Sequence, residues 1–163
     1  MSSLATADRI PCLITERYDR LVTDRGIRRI HQEDLCQAFG LDGSGNRGRA
    51  KYQRRRGGGP GFRQAAQILD AYAQDPEAEL SRLVAALTST IAVGNADAHG
   101  TNISFLHDTP TTIRLAPLYD ITPTLLWPNL THESALSVND RFSLQRLTLA
   151  DVTALLAGKP AGG

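Results

Sequence analysis

Cysteine is scarce. Cys12 and Cys36 stand 24 positions apart with no CxxC pair, which excludes a zinc knuckle and a disulfide-dense secreted scaffold and leaves two reduced core thiols. No apolar run approaches the roughly 20 residues needed to span a bilayer. The amino-terminal stretch also lacks an uninterrupted apolar segment ahead of a small-residue cleavage site, so a cytoplasmic location is expected. Net charge is nearly absent as well: 18 Lys and Arg against 17 Asp and Glu give +1, and global charge therefore points to neither nucleic acid nor membrane. No Gly-Lys-Ser/Thr follows the glycine run at 57–60, which rules out a phosphate-cradling P-loop, and the four histidines show no HExxH spacing.

What is present is an ordinary globular composition, 41% apolar and 21% charged over 163 residues, suited to one domain. The near-neutral total hides a local excess: residues 46–63 carry seven basic residues and no acid, overlapping a segment (41–61) with seven glycines and Pro60. Such a stretch reads as a long functional or mobile loop.

The apolar pattern places the remaining elements. Residues 10–14 read as an edge strand broken by Pro11, and Leu35, Cys36 and Phe39 within 32–39 predict a short helix stopped by Gly40. A helix is expected over 63–74, ended by Asp75-Pro76. Leu80, Leu83, Val84, Leu87 and Ile91 then recur at helical spacing, predicting a central amphipathic helix over 79–93 closed by Gly94. Two strand-like stretches, 103–106 and 112–116, flank the turn-forming HDTPT and predict a hairpin. Turns around Trp127-Pro128-Asn129 and a helix over 149–157 complete the chain.

One constellation carries chemistry. In GNADAHGTN, Asp97 and Asn102 lie five apart directly after the central helix, and the hairpin that follows returns to Asp120 in LAPLYDI. Protein kinases use this order: a catalytic Asp, an Asn five residues on that binds magnesium, a hairpin, and a second metal-binding Asp. The residue types suit phosphoryl transfer, in which Asp97 accepts the proton of an incoming hydroxyl while Asn102 and Asp120 offer hard oxygen ligands to Mg²⁺. Singly, each is an ordinary turn residue, and Asn95 reads as a helix-end cap. Jointly and in this order they favour a site. Of the histidines, His31 is read as a capping or packing residue and His107 and His132 as exposed loop residues.

These motifs resemble the HipA-like serine/threonine kinases of bacterial toxin–antitoxin systems. The matching pieces are ERYDR (16–20), HQEDLCQAFG (31–40), KYQ (51–53), GGP (58–60), GNADAHGTNIS (94–104) and LAPLYDI (115–121), in family order over 127 residues from Glu16 to about Phe142. The resemblance implies a mainly helical (α+β) kinase C-terminal lobe over 16–157, preceded by a connecting strand (1–15) and followed by a disordered tail (158–163). It makes Asp97 the catalytic residue and Asn102 and Asp120 the metal ligands. It also sets the backbone near Glu16 and Tyr18 beside the adenine of ATP, and His99 either beside the nucleotide or in a structural hydrogen bond. It further implies a protein substrate, with aminoacyl-tRNA synthetases among family targets, and restraint by a helix-turn-helix antitoxin.

Two departures follow. The family's Lys before the metal-binding Asn is here Thr101, which supplies no cation. No phosphate-covering loop or ATP-positioning Lys precedes Ile10, so a chain lacking its N-terminal lobe, weak or inactive alone, is expected. The competing reading is a non-catalytic remnant, or a module whose basic loop (Arg47, Arg49, Lys51, Arg54, Arg55, Arg56) binds nucleic acid or an antitoxin; with only Tyr52 and Phe62 interleaved, direct nucleic-acid binding is the weaker expectation.

Overall fold

The computed structural model describes residues 2–41 and 60–156. The basic loop, with KYQ and the glycines of GGP, and the expected tail lie outside the described residues. The chain divides into two compact units, Met1–His31 and Gln32–Gly163.

The first unit consists of two antiparallel hairpins. Strands β1 (Ser2–Ala7) and β2 (Ile10–Thr15) pair in register, with Leu4 opposite Leu13. Asp8 and Arg9 join them at φ values of 49° and 66°, the left-handed pair that matches strand twist in a two-residue turn. The expected strand at 10–14 is thus β2, with Pro11 in it. The second hairpin pairs β3 (Arg20–Thr23) with β4 (Gly26–Arg29), turning at Gly26, whose φ of 113° suits glycine.

β5 (His31–Asp34, of which all but His31 belong to the second unit), β6 (Ser104–His107) and β7 (Ile113–Leu115) form a three-stranded sheet in that order. The short helix α1 (Leu35–Ala38) begins later than its sequence pattern suggests, because Asp34 accepts from the Gln37 amide while the Gln37 side chain accepts from the Asp34 amide, a reciprocal cap that fixes the first turn. His31 therefore sits, exposed, on a strand, and the α1 cap is Asp34. Helix α2 (Phe62–Tyr72) and the long α3 (Pro76–Val93) follow, the latter opened by the Asp75 cap and Pro76 and closed by left-handed Gly94, as the periodicity predicts. Beyond them come β8 (Glu133–Val138), β9 (Arg141–Ser143) and α4 (Leu149–Leu156). The core gathers Leu35, Phe62, Leu69, Leu83, Leu87, Phe105, Leu136 and Val138, so α2, α3 and the β6–β7 hairpin share one interior.

Among the described residues helix and strand contents are roughly equal, which corrects the expectation of a mainly helical lobe to α+β. The strands are three to six residues long, and much of their pairing rests on turn residues at positive φ, a signal far shorter than the five-residue apolar stripe of α3. Among the described residues no helix is long and apolar enough to cross a membrane.

Candidate active site

The loop after α3 is held from three sides. Gly94 adopts φ 73° and ends the helix, with Leu125 only 3.0 Å from where a Cβ would sit. Its carbonyl accepts from the Leu125 amide (3.1 Å) and the Thr124 hydroxyl (3.2 Å), and that hydroxyl accepts in turn from the Ala96 amide (2.7 Å). The Ala96 carbonyl accepts from the Ala135 amide of β8 (2.8 Å). The two Thr124 hydroxyl bonds are buried, so they fix the loop through groups shielded from water.

On this support Asp97 is exposed at the bend. Its carbonyl accepts from the His99 amide (2.8 Å) and from the Asn102 side chain (3.3 Å). The same Asn102 amide group donates to the Asp120 carboxylate (3.3 Å). The Asn102 side chain thus links the backbone of the Asp97 turn with the carboxylate of Asp120, 18 positions beyond Asn102 itself. Asp120 itself is left-handed, at φ 54°.

The donor set fits a hard divalent cation: a carboxylate and an amide in contact, with Asp120 exposed and able to exchange the Asn102 hydrogen bond for a metal. The Asn102 amide now turns its nitrogen to Asp120, and rotation about its two-fold terminal torsion presents the oxygen instead.

Around this triad the side chains are tied down. The Tyr119 hydroxyl donates to the Thr101 carbonyl (2.6 Å) and lies 2.5 Å from the Ser104 hydroxyl. The Thr101 hydroxyl pairs with His99 Nδ1 (2.8 Å), and His99 is buried. His99 thus meets Thr101, the residue at which the resemblance leads one to expect Lys. Glu16, exposed, and Tyr18, half-buried, lie in the first unit just after β2. His107 is no loop residue: it ends β6, half-buried, and its Nε2 meets Glu33 at 2.8 Å. His132 is exposed as expected.

Sequence reasoning missed two members of the site. Thr124, in an unremarkable TPT, is the buried clamp on the loop. Asn95 does bond the helix end through its backbone, to Thr90 (3.0 Å), but its side chain does more: Oδ1 accepts from the Asp97 amide (3.0 Å) and Nδ2 donates to the Asp120 carbonyl (3.4 Å).

The family model for the HipA-like C-terminal domain matches residues 1–160. A protein named "Putative kinase Y4mE" from Sinorhizobium fredii is 37% identical over 138 residues, covering 84% of this chain and 31% of that protein. The serine/threonine-protein kinase toxin HipA of Shewanella oneidensis is 27% identical over 160 residues, covering 92% of this chain and 36% of the toxin. Among solved structures, the Shewanella HipA–HipB–operator DNA complex contains a chain that superimposes with a TM-score of 0.78 at 26% identity, over 97% of this chain and 38% of that one. The chain thus spans about a third of the length of the curated relatives it matches.

Proposed function

The chain belongs to the family of HipA-like C-terminal domains, and from that premise we propose that it is the catalytic C-terminal lobe, over 16–157, of a toxin-type serine/threonine protein kinase that uses ATP and Mg²⁺. The observation that carries the reading is the single Asn102 amide hydrogen-bonded to both the Asp97 carbonyl and the Asp120 carboxylate. In this reading Asp97, exposed and held through its backbone, orients the substrate hydroxyl and accepts its proton. Asn102 and Asp120 hold Mg²⁺, which when bound neutralises charge on the phosphates. The backbone near Glu16 and Tyr18 borders the adenine. His99 acts through the loop, by its bond to Thr101.

Phosphoryl transfer depends almost wholly on positioning and charge stabilisation, and Thr101 leaves the loop without the cation usual at that position. Full activity therefore requires polypeptide corresponding to the rest of the relatives' length, supplied in the same chain or in trans. The acceptor is a protein serine or threonine, an aminoacyl-tRNA synthetase by family resemblance. An antitoxin of the kind solved with the Shewanella protein is the natural restraining partner.

A radiolabelled-ATP assay tests this. The 163-residue chain alone is expected to transfer little phosphate, whereas the chain mixed with the N-terminal portion of a relative transfers readily. Asp97→Asn should lower transfer in the mixture by about 10²- to 10⁴-fold, the range of a lost general base. Transfer indifferent to Asp97→Asn overturns the assignment.

A further inference from the structure

We infer that Asn95 is the positioning residue that sets Asp97 and Asp120 at their working separation, an inference that rests on the metal-site reading above. Asn95 is 3% exposed, and its backbone is pinned to the end of α3 by the bond to Thr90. From that fixed point its amide reaches in two directions, Oδ1 to the Asp97 amide at 3.0 Å and Nδ2 to the Asp120 carbonyl at 3.4 Å.

A residue that only ended the helix would need neither contact. The first closes the Asp97 turn locally. The second crosses 25 positions of sequence and lands on the peptide group of Asp120, whose φ of 54° is disfavoured for a residue with a Cβ. A left-handed aspartate can relax to an extended backbone, and that relaxation would swing its carboxylate away from Asn102. Holding its carbonyl opposes the swing. Asn95 and Asn102 also line the same small cavity beneath the site, with Ser104 and Tyr119, so Asn95 supports the candidate metal ligands from within the fold. The arrangement is that of an outer residue that orients ligands without touching the ion.

Asparagine is the side chain that serves both ends. Aspartate keeps the acceptor for the Asp97 amide but sets an oxygen against the Asp120 carbonyl. Alanine loses both contacts.

Binding of Mn²⁺, as a spectroscopic stand-in for Mg²⁺, is measured on the full chain by electron paramagnetic resonance at a temperature where circular dichroism shows every variant folded. The wild type should bind, and Asp120→Asn should abolish binding. Asn95→Ala should weaken it by about 10- to 100-fold, the loss typical of removing an outer support. Asn95→Asp, equal in size, should weaken it too, and it carries the test if the alanine variant does not fold. Asp120-dependent binding left unchanged in a folded Asn95 variant overturns the positioning role while sparing the site. Absent binding, or binding indifferent to Asp120→Asn, overturns the site reading and the positioning role with it.

Discussion

Within ERYDR the group on which donors converge is the carboxylate of Asp19. Arg17 meets it with two parallel bonds of 2.7 and 2.6 Å, Arg20 adds a third, and Asp19 is only 8% exposed. The Arg17 hydrogen bonds chiefly hold its carboxyl at about 2, below the ordinary 3.8. Because the folded value is the lower one, the pairing stabilises the chain above 3.8 and is lost as pH falls through about 2. Urea midpoints of the wild type should therefore drop over that interval, while those of Asp19→Asn stay flatter; parallel profiles would contradict the pairing. The sequence marked ERYDR by resemblance alone, since nothing in a run of charges says which one is buried. That the Asp97 turn, Asn102 and Asp120 lie together was legible because the motif rests on spacing and order along the chain. Asn95 and Thr124 were not, because their decisive bonds reach 25 and 28 positions away.

Among the elements, α3 and the β6–β7 hairpin are joined by a buried carboxylate. Glu79, in the first turn of α3, accepts from the Leu115 amide of β7 (2.7 Å) and from Arg82 (2.9 Å). Glu79→Ala leaves the Leu115 amide buried without that acceptor, at a cost of about 1–3 kcal/mol. Glu79→Gln keeps an oxygen there and should cost less, and urea denaturation of both variants checks the order. Equal losses would mean that the charge matters and the bond does not. The sequence placed α3 well, from its apolar stripe and caps, and it placed the β6–β7 hairpin from its turn. It gave Glu79 no role of its own, drew 1–15 as one connecting strand where β1 and β2 form a hairpin, took β5 into a helix over 32–39, and left β3, β4, β8 and β9 undrawn. Those strands are short, and β1, β3 and β4 leave Leu4, Leu21, Val22 and Ile27 exposed, so no alternation of buried and solvated residues announces them.

In the molecule as a whole, a fixed loop and a returning hairpin bring the Asp97 turn, Asn102 and Asp120 together, and the proposed function makes these a proton acceptor and two oxygen ligands. Each unit has its own hydrogen bonding, and the site residues Asp97, Asn102 and Asp120 all belong to the second. That unit is α+β, and its strands do as much to place the site as its helices: β8 holds Ala96, and β6–β7 delivers Asp120. Nuclear magnetic resonance of the ¹⁵N-labelled chain titrated with substoichiometric Mn²⁺ tests this most directly. Paramagnetic broadening should appear first at the amides of residues 95–102 and 118–121 and should vanish in Asp120→Asn. Broadening centred elsewhere, such as the acidic Asp70, Asp75 and Glu77 near the start of α3, or broadening that persists in Asp120→Asn, would contradict the account.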